Sequence, residues 1–162
     1  VQEDYLGGYA TSAALAEKLA AAVASELEKR VGASPEEVAA APRVALVIDD
    51  YHALTAGGSS PLARLTPYLP LAPEIGLHAV LSRRVRGASR GMYESFFTAL
   101  RDSGSAALIL SGDRTEGGLI NGVRARTLPP GRAQLIQPGR PVQMLQLFLN
   151  DPASAVAPVG GQ

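Results

Sequence analysis

The chain has 162 residues, 46% of them hydrophobic and 19% charged, which is ordinary for one soluble globular domain with a single core. Lys+Arg and Asp+Glu both number 15, so nothing in the bulk charge calls for a nucleic-acid or anionic-membrane partner. There is no cysteine for a disulfide or thiolate metal site, two histidines are too few for a His cluster, the polar start Val1-Gln2-Glu3-Asp4 is no signal peptide, and no apolar stretch approaches the roughly 18–20 residues of a membrane span.

Leu15, Leu19, Val23 and Leu27 recur every four residues through an Ala-rich segment, with Thr11 and Ser12 as candidate N-caps; this spacing predicts an amphipathic helix ending near Gly32. Ser34-Pro35-Glu36-Glu37 supplies a capping Ser, Pro at the first helical position and Glu at the third, so a short second helix follows and stops at Pro42. Val44 to Ile48 is a continuous apolar run, the pattern of a central parallel strand buried on both faces, and it ends in Asp49-Asp50. After the loop Thr55 to Ser60, the spacing of Leu62, Leu65 and Leu69 gives one or two helical turns, kept short by Pro67 and Pro70. His78 to Ser82 reads as a second buried strand. Tyr93, Phe96, Phe97 and Leu100 share a helical face, and Ala106 to Leu110 is a third strand ending in Ser111-Gly112-Asp113.

Strands alternating with helices imply an α/β domain whose three strands are parallel in one sheet, with Asp49, Ser82 and Ser111 at their carboxyl ends. Arg132 to Ile136 and Val142 to Leu147 flank Pro138-Gly139 and predict a β-hairpin at the sheet edge. The domain is expected to occupy residues 1–150, with 151–162 a loose Ala/Pro/Gly-rich tail.

Arg43 to Asp50 fits a Walker B element, in which a buried strand delivers one carboxylate toward magnesium and a second toward an attacking water. The plainer alternative is a strand-to-loop transition where two aspartates solvate the turn. Arg83 and Arg84 either reach a phosphate or an acidic neighbour or, with Arg86 and Arg90, form a solvated surface loop; without interleaved aromatics the four make a weak DNA stripe. His52 and His78 have no partner pattern.

Several segments together carry a specific resemblance. Tyr5-Leu6-Gly7-Gly8-Tyr9-Ala10-Thr11-Ser12, Val47-Ile48-Asp49-Asp50-Tyr51, Pro67-Tyr68-Leu69-Pro70, Ile75-Gly76-Leu77-His78, Leu110-Ser111-Gly112-Asp113-Arg114 with Glu116-Gly117, and Leu128-Pro129-Pro130-Gly131-Arg132 occur in order. From about Tyr5 to Phe148 the chain resembles the C-terminal FtsK/SpoIIIE-type ATPase module of type VII secretion EccC proteins. The resemblance implies a RecA-like P-loop NTPase fold, ATP and Mg²⁺ as ligands of the intact parent, and a cytoplasmic module tethered to a complex in the inner (cell) membrane. It implies Asp49 on the metal, Asp50 as catalytic base, and Ser82 and Arg83 at the strand end where such motors place a γ-phosphate sensor. It also places Arg114 where an arginine approaches a neighbouring subunit's nucleotide, the alternative being a local pair with Asp113 or Glu116.

Such modules open with a strand and a Gly-x-x-x-x-Gly-Lys-Ser/Thr phosphate loop, and no Gly-Lys pair occurs here, so the Walker A portion is expected to be absent from this chain. Active motors of the class resemble Asp-Glu where this chain has Asp49-Asp50. The shorter side chain withdraws the base by about 1.5 Å, and a misplacement of about 1 Å can lower a rate on the order of a hundredfold. Weak or absent hydrolysis is the expectation. EccC-like proteins also recognise the tails of small secreted helical-hairpin proteins, and Tyr68, Leu69, Tyr93 and Phe97 are the candidate contact residues, ordinary core packing being the alternative. Two functions stay open, a magnesium-ATP site and a binding and assembly module, with a DNA translocase behind them.

Overall fold

The computed structural model of the chain describes residues 6–58 and 60–148; the expected tail over 151–162 lies outside them. Helix α1 (Ala13–Glu28) starts where the Ser12 hydroxyl accepts from the Leu15 amide at 3.3 Å. Its buried stripe is Ala16, Ala20 and Leu27 with half-buried Val23; Val23 and Leu27 lie on the expected stripe, whereas Ala16 and Ala20 take the buried places in the first half and Leu15 is exposed. Small alanines let α1 approach the 3-10 segment Ala63–Tyr68, against which it packs.

Helix α2 (Pro35–Ala40) has the expected capping box: the Glu37 amide donates to Ser34 Oγ at 3.2 Å, and the Ser34 amide donates to Glu37 Oε2 at 2.8 Å. Replacing Ser34 with alanine should lower the unfolding free energy by about 0.5–2 kcal/mol in a urea melt, toward the low end because the cap is exposed. No loss would mean that tertiary contacts alone hold α2.

The strands β1 (Val44–Ile48) and β2 (Leu77–Leu81) pair in parallel, with Val44 opposite Leu77 and Ile48 opposite Leu81. Val44, Leu46 and Ile48 face the core. The outer face differs from the sequence expectation: Val47 is 75% and Val80 63% exposed, and no described element covers them. A continuous apolar run signals that both faces suit burial, but it does not supply the layer that buries them.

The third strand is where the expected topology fails. β3 (Ala107–Ile109) pairs antiparallel with β4 (Arg132–Ile136), which pairs antiparallel with β5 (Gln143–Gln146), forming a separate sheet of order β3-β4-β5. Ser111 therefore does not share a sheet with Asp49 and Ser82. The β4–β5 hairpin forms as expected across Pro138-Gly139, Gly139 taking a left-handed φ of 68°. An apolar run specifies burial and extension, whereas the partner strand is chosen by the long connection after β3, which holds two 3-10 turns, Arg114–Glu116 and Ile120–Gly122.

Short helices α3 (Tyr51–Leu54) and α4 (Ala72–Ile75) and the longer α5 (Ser95–Asp102) complete the fold. Tyr51, Leu27, Leu65, Leu69 and Phe96 are the large, fully buried side chains of the main core; Ile109, Ala125 and Ile136 form a second one. Leu119 and Ile120 pack against both, joining the two sheets. Buried Arg30 locks the end of α1 in place, donating from Nη1 to the Pro42 carbonyl at 2.9 Å and the Ile75 carbonyl at 3.4 Å. No helix among the described residues is long and apolar enough to cross a membrane.

Candidate nucleotide site

The register of β1 on β2 carries one step further and sets Asp49 beside Ser82. Ser82 Oγ donates to Asp49 Oδ1 at 2.5 Å, and the Asp50 amide reaches Asp49 Oδ1 at 3.0 Å and Ser82 Oγ at 3.1 Å. Backbone bonds close the ring, from Ser82 N to Ile48 O at 2.8 Å and from Tyr51 N to Ser82 O at 2.9 Å. The strand ends are thus tied together, and one oxygen of Asp49 is held in a fixed direction.

Asp50 adopts a left-handed conformation, φ 49° and ψ 45°, before α3. Asp is among the few L-residues that enter this region readily, and elsewhere among the described residues only Asn121 shares it outside glycine. Its carboxylate is about two-thirds exposed, 3.8 Å from His52 Nδ1. Both aspartates and Ser82 face solvent. Two carboxylates and a hydroxyl form an all-oxygen donor set suited to a hard cation such as Mg²⁺. Among the described residues no cluster of three or more His, Cys, Asp or Glu fit to hold a metal is found, so protein groups alone do not build a complete metal cage here.

The other expected site residues separate. Arg83 turns inward: its guanidinium lies 5.7 Å from the centre of the Phe97 ring and packs on Gly91. Burial pulls its pKa below the usual arginine range, with the charges of Glu94 and Tyr51 opposing the shift. Arg84 and Arg86 are exposed, as a solvated loop would have them, and His78 is an exposed strand residue. Arg114 is also exposed. Its expected local partners are engaged elsewhere, Asp113 Oδ1 accepting from the Thr115 amide at 2.9 Å and Glu116 Oε2 from the Gly87 amide at 2.8 Å. That hydrogen bonding holds the Asp113 carboxyl below its ordinary pKa.

Of the four expected contact residues, Leu69 and Phe97 are core, 1% and 8% exposed, and offer no surface. Tyr93 is 88% exposed. Tyr68 is half-buried, its hydroxyl donating to Glu28 Oε2 at 2.5 Å on the rim of a groove with Ala21, Ala24 and Arg64. The four do not form one patch. Sequence reasoning gave Tyr51 no role of its own within the Val47–Tyr51 segment and did not single out Gly91, against which Arg83 packs; a buried tyrosine after two aspartates carries no periodic signal.

No protein-family model matches the chain. It is 35% identical to the ESX-4 secretion system protein EccC4 of Mycobacterium tuberculosis, over 94% of this chain and 13% of the relative. With the ESX secretion system protein EccC of Thermomonospora curvata it shares 31% identity, over 86% of this chain and 11% of that protein. The solved cytoplasmic domain of the Thermomonospora curvata type VII secretion ATPase EccC superposes with a TM-score of 0.79 at 29% identity, over 90% of this chain and 18% of that one. ATPases 2 and 3 of the same protein, solved in complex with a signal sequence peptide, superpose equally well over 90% of this chain and 28% of that one. The chain is therefore an EccC homologue with the P-loop NTPase fold, and it spans only a small part of the secretion ATPases it matches.

Proposed function

We propose that this chain contributes the Walker B side of a magnesium-ATP site within an EccC-type secretion ATPase, with weak or no hydrolysis, and takes part in exporting small helical proteins. The observation that carries this reading is the Asp49–Ser82–Asp50 ring at the carboxyl ends of two parallel strands, where open α/β sheets bind their ligands. Magnesium, when bound, would neutralise phosphate charge. Asp49 would hold it through the oxygen not fixed by Ser82, and Asp50 would orient water from an exposed position. The exposed guanidinium of Arg114, with neither Asp113 nor Glu116 claiming it, suits a contact to phosphate across a subunit boundary. In this reading Arg83 acts beside the site rather than on phosphate, and the protein works on the cytoplasmic side of a complex in the cell membrane.

The signal-peptide complex of the structural neighbour favours a second role, docking of a secreted partner's tail. The rim of the Tyr68 groove and, separately, exposed Tyr93 are the surfaces that would offer contacts to it. Titrating the intact secretion ATPase with Mg-ATP, a labelled tail peptide and a labelled DNA duplex at two salt concentrations tests the whole reading. Nucleotide binding, and peptide binding that changes little with salt, are expected, because apolar anchors release no counterions. Tight, salt-sensitive DNA binding without peptide binding would instead identify a DNA motor.

A further inference from the structure

The balanced total charge is divided along the chain: from Ser82 to Phe148 ten arginines stand against four acidic residues, Glu94, Asp102, Asp113 and Glu116. Two of these arginines meet on one face of the β3-β4-β5 sheet. Arg132 and Gln134 alternate along β4 and so point the same way, and their partners across on β5 are Gln146 and Met144. Arg126, from the connection before β4, reaches that face from the side: its Nε donates to Gln134 Oε1 at 2.9 Å, and its Nη2 lies 3.7 Å from Met144 Sδ. The two arginines are therefore anchored at neighbouring cross-strand pairs, about 7 Å apart along the strands.

The same arrangement holds each of them. Gln146 Oε1 accepts from Arg132 Nε at 3.1 Å, while its Nε2 donates to Leu147 O at 3.1 Å and Pro130 O at 3.4 Å. Gln134, 3% exposed, accepts from Arg126 and donates from its Nε2 to Arg124 O at 3.1 Å. Each glutamine is thus tied to backbone at its nitrogen and presents its oxygen to a guanidinium. With Nε engaged, a guanidinium meets an oxyanion only through its outer edge, as an end-on fork of two Nη groups; the Met144 thioether is a weak acceptor that a carboxylate displaces. Both arginines are exposed, and among the described residues neither is paired with a carboxylate. Packing alone would be met by an apolar side chain at position 134, as at Ile136 on the same face; the glutamine adds an orientation for Arg126.

We propose that Arg126 and Arg132, aimed by Gln134 and Gln146, form a binding site for paired carboxylates of an acidic protein segment. A nucleic-acid strand would call for a track of cations with aromatic rings between them, and what lies between these two guanidinia is glutamine and methionine. The site belongs to the second sheet, not to the strand ends of Asp49 and Ser82 or to the Tyr68 groove, and it stands whether or not those are a nucleotide site and a tail-docking surface.

The test is fluorescence anisotropy on the 162-residue chain with a labelled hexaglutamate peptide, a labelled hexaglutamine peptide and a labelled DNA duplex. Wild type should bind hexaglutamate about tenfold or more tighter than hexaglutamine, and Arg126→Gln or Arg132→Gln should each remove most of that preference. Lys18→Gln, which removes the same charge from an exposed position on α1, should leave it unchanged. Two further variants keep the charge: Arg126→Lys loses the fork, and Gln146→Met loses the acceptor that aims Arg132. Each should weaken hexaglutamate binding about threefold to tenfold. Equal binding of the two peptides by wild type, wild-type affinity in both Arg126→Lys and Gln146→Met, or tighter binding of the DNA duplex or of competing inorganic phosphate than of hexaglutamate would overturn the proposal. If Arg126→Gln does not fold because Gln134 loses its cover, Arg132→Gln and Gln146→Met, both at exposed positions, decide by the same criteria.

Discussion

Phe96→Ala should destabilise the chain by about 3–5 kcal/mol, the range for removing a large aromatic from a core that cannot collapse onto the cavity. Phe96 is fully buried, packs beside the Tyr51 ring, and belongs to the cluster joining α1, the Leu65–Leu69 segment and α5. A domain of ordinary stability retains only about 5–15 kcal/mol, so the loss is a large share of the total. Part of the effect should be local: with Phe96 gone, Tyr51 loses an aromatic neighbour and the turn carrying Asp50 loses support. Equilibrium urea unfolding measures the change. A loss under about 1 kcal/mol would place Phe96 outside the cooperative core, contrary to its burial.

The 162-residue chain by itself should release no phosphate from Mg-ATP above background. It contains no Gly-Lys pair, and so no phosphate loop whose backbone amides and lysine would cradle the β- and γ-phosphates. Asp49 and Ser82 can offer oxygens to a metal, yet they supply no positive charge to the phosphates, and Arg83, the nearest cation along β2, is turned toward Phe97. Asp50 is besides one methylene shorter than the glutamate that the resemblance implies for active motors, and its carboxylate stands about two-thirds exposed. Steady-state phosphate release measures this. Robust turnover that vanishes in Asp49→Ala would contradict it.

Much of the local structure was legible in the residues. The capping box at Ser34, the apolar runs of β1 and β2 and the Pro138-Gly139 hairpin follow from caps, hydrophobic continuity and turn chemistry, all properties of neighbours in sequence. Pairing of β3 was not legible, because Ala106 to Leu110 suits a buried strand in either sheet and its partner is set 25 residues on, where β4 begins. The second half of the α1 stripe, Val23 and Leu27, faces the core as expected, whereas in the first half Ala16 and Ala20 are buried in place of Leu15 and Leu19, because alanines bury well where backbones approach.

The site divides the same way. Asp49 and Ser82 meet because each ends a strand, which periodicity reveals. Arg83 reads as a loop cation in sequence and is a half-buried one in the fold, since the aromatic face it stacks on, Phe97, comes from another element. Leu69 and Phe97 were candidates for partner contact through the company they keep in sequence, and their burial assigns them to packing instead.

Whether Asp49 holds magnesium at a nucleotide site is measured most directly by binding of a fluorescent ATP analogue to the intact EccC-type protein, with magnesium and with chelator, before and after Asp49→Ala. Magnesium should strengthen binding in the wild type and Asp49→Ala should remove that gain, about tenfold or more in affinity, while leaving chelator-limited binding unchanged. Equal magnesium dependence in both proteins would contradict it.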